Sequence, residues 1–189
     1  MAFEYPFYFL RHGETTWNAI GKTQGQLDAP LSDLGRRQAQ EAAAILAAEP
    51  IARIVSSPLS RAHDTAAAAA AATGALISLD PGLMEFHAGE LQGQPRGEHV
   101  REYFDKSWSP PGGEAFDDFA ARAWAALTRA VTGPGVLVVA HGGIWRAAQE
   151  FAAVEPRLWP MPNALPILVT PGPAGWAAEV LGERAQAAE

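Results

Sequence analysis

The chain has 189 residues, 48% hydrophobic and 19% charged, a balance that predicts one globular domain over 1–189 with a substantial core. It has no cysteine, which excludes disulfides, thiolate metal sites and a cysteine nucleophile and fits a reducing, cytoplasmic setting. A formal net charge of -7 argues against generic binding to nucleic acid or to an anionic membrane. No apolar run is long enough to span a bilayer, and Met1-Ala2-Phe3-Glu4 lacks the basic start of a signal peptide.

The aromatic and apolar stretch Phe3–Leu10 predicts a first, buried strand. A loop rich in Gly, Asn, Gln and Pro runs on to Leu31. Ser32 then caps a helix that carries Leu34, Ala39, Ala43 and Leu46 at helical spacing and stops before Pro50. Ile51–Ser56 reads as a second strand. Ser57-Pro58 reads as the N-cap and first position of another helix. The Ala66–Ala72 run in that helix favours helix but offers little side-chain packing, and Gly74 is its stop. Ala75–Leu79 is a third strand, broken by Pro81. The stretch Asp80–Gly113, interrupted by glycines and prolines, holds one short helix around Glu98–Lys106. Glu114–Val131 predicts an amphipathic helix, Gly135–Ala140 a fourth strand, and Gly143 to about Ala153 a further helix. Ala164–Thr170 and Trp176–Leu181 predict a closing hairpin, and Glu183–Glu189 a frayed tail. Alternating strands and helices without a linker or repeat predict an α/β fold, a three-layer αβα sandwich around a mostly parallel sheet.

Two of these strands end in a histidine. Arg11-His12-Gly13-Glu14-Thr15 follows the first, and His141-Gly142-Gly143 follows the fourth. In open α/β sheets the carboxyl edge is where ligands bind. Arg61 falls in the first turn of its helix, where a cation opposes the macrodipole by roughly 0.3–1 kcal/mol. A bound anion would reverse that sign, so Arg61 points to a phosphate or carboxylate partner. Arg11 and Arg61 offer two guanidinium forks suited to phosphate, within reach of His12 and His141, and Asn18 can add an amide donor. Glu85 and Glu90 are the candidate acid–base groups. His63, His87 and His99 match no zinc spacing and read as surface or packing residues, with His87 keeping a pocket-lining alternative. Trp17 and Trp145 stand beside the motifs and are expected to line the pocket. Gly21-Lys22-Thr23 lacks the rest of a P-loop, and no Gly-x-Ser-x-Gly elbow occurs.

The run at 11–15, Asn18, Ser-Ser-Pro-Leu-Ser-Arg-Ala at 56–62, the Glu85 segment with Gly89-Glu90 and Gly93, and Ala140-His141-Gly142-Gly143 occur in that order. Jointly, from about Phe7 to Arg146, they resemble the histidine phosphatase superfamily, also called phosphoglycerate-mutase-like. The resemblance implies that His12 is the nucleophile and becomes phosphohistidine. It implies that Arg11, Arg61, Asn18, Gln24 and His141 hold the phosphoryl group, assisted by the Gly142 amide. Glu85, rather than Glu90, is then the general acid for the leaving alcohol and later the base for water. No metal or cofactor is implied, because two arginines and a second histidine can stabilise charge on the transferred group. Phosphoglycerate mutases of this superfamily carry a longer insertion between the positions of Glu85 and His141. Its absence favours a phosphatase of small phosphorylated metabolites over a mutase-type phosphotransferase or a non-catalytic phospholigand-binding protein. Pro111-Gly112-Gly113-Glu114 before a helix is similar to the small phosphatases of the family. His87 and Leu91 depart from the usual pattern and leave the substrate open. Oligomeric state is open as well, a homodimer included.

Overall fold

The computed structural model describes residues 3–182, and the expected tail at 183–189 lies outside them. The strands are β1 (Phe7–Arg11), β2 (Arg53–Ser56), β3 (Leu76–Leu79), β4 (Val136–Ala140), β5 (Val154–Glu155), β6 (Pro166–Gly172) and β7 (Gly175–Val180). They form one sheet in the order β3-β2-β4-β1-β6-β7-β5. The run β3-β2-β4-β1 is parallel, and β6 is antiparallel to both its neighbours. The helices are α1 (Thr16–Ala19), α2 (Asp33–Leu46), α3 (Ser60–Thr73), α4 (His99–Phe104), α5 (Phe116–Ala130) and α6 (Gly142–Ala148).

Alternation along the central strands divides the core in two. Tyr8, Leu10, Ile54, Leu137 and Val139 face one side and meet Ala42 and Leu46 of α2 and Ala62, Ala66 and Ala69 of α3. Phe7, Phe9, Val136, Val138 and Ala140 face the other side and meet Phe119, Ala123 and Leu127 of α5 and Ile144 of α6. This is the three-layer α/β sandwich, with a mostly parallel sheet inside. Within the alanine run Ala66 and Ala69 are covered, and with Ala62 one turn earlier they give α3 its packed face. Gly74 ends α3 in the left-handed conformation, with φ of 74°, which a glycine adopts without a Cβ clash.

Several boundaries differ from expectation. β1 starts at Phe7 rather than Phe3, because Pro6 has no N–H to donate to a ladder. Phe3 instead joins an aromatic cluster with Phe7, Trp124 and Trp176. α6 stops at Ala148, and the unexpected strand β5 pairs with β7. A two-residue strand leaves no periodicity to read. The loop after Thr15 contains α1, closed by a capping box between Thr15 and Asn18.

Candidate active site

The register of β1 on β4 brings Arg11 level with Ala140. His12 N then donates to Ala140 O at 3.0 Å, which carries the ladder one step past the strand end. The two histidines therefore leave neighbouring strands together, with ring centroids 5.2 Å apart. His12 Nδ1 lies 2.7 Å from Gly13 O. A carbonyl can only accept, so Nδ1 holds the proton and Nε2 keeps its lone pair. The surrounding main chain is fixed by Asn163 Nδ2, which donates to His12 O at 2.9 Å, and by Gly13 N, which donates to Thr65 Oγ1 at 3.1 Å. Gly13 also packs against Gly35 so closely that a Cβ on it would overlap the Gly35 carbonyl.

His141 Nε2 lies 2.8 Å from Ser57 Oγ, and its Nδ1 is buried without a partner among the described residues. Ser57 is thus not the helix N-cap that the sequence predicts. α3 begins at Ser60 with Leu59 as N-cap, and the Ser60 amide donates to Asp28 Oδ1 at 2.8 Å. The anion at that helix end is therefore Asp28, which offsets the macrodipole. Arg61 is placed by two loop carbonyls, donating to Leu27 O at 3.0 Å and to Gly25 O at 2.7 Å. It is 1% exposed, and its Nε–H has no partner. Arg11 donates to Met161 O, and its Nε–H, like that of Arg61, is buried without a partner among the described residues. Burial pulls both guanidiniums down to about 10, so both stay cationic at neutral pH.

Glu85 follows a 3-10 turn at Pro81–Leu83. Its Oε2 accepts from Gly143 N at 3.1 Å and its Oε1 from Phe86 N at 3.1 Å. Burial raises the Glu85 pKa above the ordinary carboxyl range despite those amides and the nearby Arg61 and Arg11. Burial, reinforced by Arg61, also holds His12 and His141 well below the usual imidazole range. At neutral pH the site therefore holds two neutral imidazoles, two guanidiniums and a carboxyl that resists ionisation. Among the described residues, no three potential metal ligands converge.

Arg11, Glu85 and Gly142 share a cavity of about 480 Å3 with Arg96, Phe104 and Trp159. The Thr15 hydroxyl lies 3.1 Å from Asn18 Oδ1 and 3.0 Å from Gln24 Oε1. Those oxygens are engaged, so the N–H2 groups are the donors that each amide has left for a ligand. Glu90 is exposed and outside the cavity. His87 is outside it too, with Nδ1 accepting from Gly89 N at 3.3 Å. His63 and His99 are exposed beside Asp64 and Glu102. Trp145 is not a pocket wall: it is 1% exposed, stacks near Phe9 and donates to Leu158 O. Trp17 carries Lys22 over its ring outside the cavity, and Trp159 takes the lining role.

Sequence reasoning missed Ser57, Arg122, Arg96 and Arg157. Ser57 was masked by a plausible capping pattern. Arg122 carried a signal: an arginine flanked by Ala120, Ala121 and Ala123 in the middle of a helix, eight positions after Glu114.

Chemistry of this kind is that of a phosphate-handling α/β enzyme. The chain is 38% identical over 186 residues to a glucosyl-3-phosphoglycerate phosphatase of Mycolicibacterium vanbaalenii, covering 88% of this chain and 80% of that protein. It is 40% identical over 154 residues to a metal-independent phosphoserine phosphatase of Arabidopsis thaliana, covering 73% and 64% of the two chains. A solved mycobacterial glucosyl-3-phosphoglycerate phosphatase in complex with VO3 superposes with a TM-score of 0.80 at 34% identity, covering 93% of this chain and 98% of that one. The chain belongs to the histidine phosphatase superfamily, whose branch 1 profile matches residues 7–183. Its activity class is that of a phosphoric monoester hydrolase acting on small phosphomonoesters, and the mutase alternative is not favoured.

Proposed function

We propose that the enzyme works without a metal ion, through a phosphohistidine on His12. The observation that carries this reading is the bond from His12 Nδ1 to Gly13 O, which leaves a neutral Nε2 lone pair in a buried cationic site. Nε2 attacks phosphorus, the P–O bond to the alcohol breaks, and protonated Glu85 gives its proton to the departing oxygen. Glu85, now a carboxylate, takes a proton from water. That water attacks the phosphohistidine, which releases inorganic phosphate and restores neutral His12. Arg11, Arg61 and His141, with the amides of Asn18 and Gln24 and the main chain of Gly142, hold the phosphoryl oxygens as charge shifts among them.

The substrate class is a small phosphomonoester that carries a second anionic group. Arg101 and Arg146 of the cavity are paired with Asp105 and Glu150. Arg96 and Arg157 line the same cavity, and neither guanidinium has a partner among the described residues. The named substrates of the relatives, glucosyl-3-phosphoglycerate and phosphoserine, each carry a carboxylate as well as a phosphate. A chain without cysteine suits a reducing compartment, and we assign the reaction to the cytoplasm.

The test is phosphate release from a panel of phosphomonoesters in EDTA, by the wild type and by His12→Ala. Release by the wild type alone, with an acid-labile phosphoenzyme trapped on rapid quenching, is the expected result. Full activity in His12→Ala, or activity abolished by EDTA, would overturn the reading.

A further inference from the structure

Glu85 sits in an irregular segment, and among the described residues its carboxyl is hydrogen-bonded only to the amides of Gly143 and Phe86. A general acid must stay within hydrogen-bond reach of the leaving oxygen, so the segment needs an external support. We propose that Arg122, locked by Glu114, is the positioning residue that holds Glu85 in its catalytic place. This inference rests on the reading of Glu85 as the general acid.

Arg122 projects from the middle of α5, and each nitrogen of its guanidinium is engaged. Nη1 donates to Gly82 O and Met84 O, both at 2.9 Å. Nη2 donates to Glu85 O at 3.3 Å and to Glu114 Oε2 at 2.7 Å, and Nε donates to Glu114 Oε1 at 2.8 Å. Glu114 returns to the same segment, since its Oε2 accepts from His87 N at 2.8 Å and its own amide donates to His87 O at 2.9 Å. The fork thus grips the main chain before Glu85, at Glu85 and two residues beyond it. Gln26 Nε2 adds a donor to Glu85 O at 3.1 Å from the opposite loop. The Arg122–Glu114 pair is only a quarter exposed and is bidentate, the geometry in which an ion pair constrains its surroundings most. Lysine has no planar fork with which to reproduce it.

A general acid matters most when the leaving group is a poor one. The experiment compares an alkyl ester, 2-glycerophosphate, with an aryl ester, 4-nitrophenyl phosphate, whose phenolate leaves without help. Wild type, Glu85→Gln, Arg122→Met, Arg122→Lys and Glu114→Gln are assayed for kcat/KM across pH, which reads phosphorylation of His12 and leaves out the water step that both esters share, with thermal unfolding as a check on folding. General acid–base catalysis contributes about 10²–10⁴-fold. Arg122→Met is expected to lose about 10²-fold in kcat/KM on the alkyl ester and several-fold at most on the aryl ester. Arg122→Lys should stay selectively defective, and Glu114→Gln should fall between. The alkaline limb of the alkyl-ester profile should shift in each variant. Should Arg122→Met fail to fold, Glu114→Gln carries the same comparison. An equal loss on both esters in the Arg122 and Glu114 variants, with Glu85→Gln selective, overturns the positioning role and leaves the proposed function intact. A Glu85→Gln variant without selectivity overturns both.

Discussion

The amide of Gly143 donates to Glu85 Oε2 at 3.1 Å, and a Cβ built on Gly143 would overlap Glu85 Oε1. The second glycine after His141 is thus the other half of the site proposed for the general acid. β4 delivers both residues, and α6 starts between them. Gly143→Ala should therefore evict the carboxyl while leaving the fold in place, because the atom struck is the end of a side chain. The expected outcome is a loss of about 10²-fold in kcat on alkyl phosphates with little change in melting temperature. Kinetics on 2-glycerophosphate beside a thermal melt would check it.

The pH response follows from two shifts of opposite sign. In the proposed mechanism His12 must be neutral to attack, and burial lowers its pKa. Glu85 must be protonated to act as the acid, and burial raises its pKa. On alkyl esters, kcat/KM, which reports the free enzyme, should rise as pH climbs through the lowered His12 pKa and fall as pH climbs through the raised Glu85 pKa, with the alkaline limb absent in Glu85→Gln. Stability carries a related sign. Each buried histidine is more basic in the unfolded chain, near 6.5, than in the fold. Its stabilisation is therefore complete above that value and lost as pH falls toward the folded pKa. The loss runs at up to about 1.4 kcal/mol per pH unit for each histidine. Urea unfolding in phosphate-free buffer should show this slope below pH 6.5 in the wild type and a shallower one in His12→Asn.

Arg96 and Arg157 carry the substrate prediction. The double change to alanine should raise KM for phosphoserine about tenfold, the loss expected for one charge-assisted contact worth about 1.4 kcal/mol. kcat should hold, and KM for ethyl phosphate, which lacks the second anion, should move far less. Parallel increases for both esters would assign the two arginines to general attraction of anions.

The sequence made the layers and the two histidines legible for a physical reason. Phe7–Leu10 and Val136–Ala140 are buried on both faces and read as continuous apolar runs, so the residues just past them fall at a sheet edge. Features that depend on distant partners did not show. Ser57 beside Pro58 satisfies every local rule for an N-cap, yet its hydroxyl lies beside His141, 84 positions away in sequence. Asp28 takes over the helix end from a loop 32 positions away. Arg122 looked like one more polar position on α5. Its role exists only because α5 packs against the turn at Pro81–Leu83, and helical spacing cannot announce that contact.

The two guanidiniums with buried, unpartnered Nε–H groups have a consequence for the life of the protein outside catalysis. Desolvated donors without acceptors cost free energy in the empty site, and a bound oxyanion removes that cost. Inorganic phosphate is the product of the reaction and, in the proposed mechanism, a ligand of the folded chain alone. At a hundred times its dissociation constant such a ligand adds about 2.7 kcal/mol of stability. Turnover and folding are thereby coupled through one small ion. If Arg11 and Arg61 hold the phosphoryl group as proposed, they also slow the departure of product, and phosphate-rich surroundings should make the enzyme sturdier and slower.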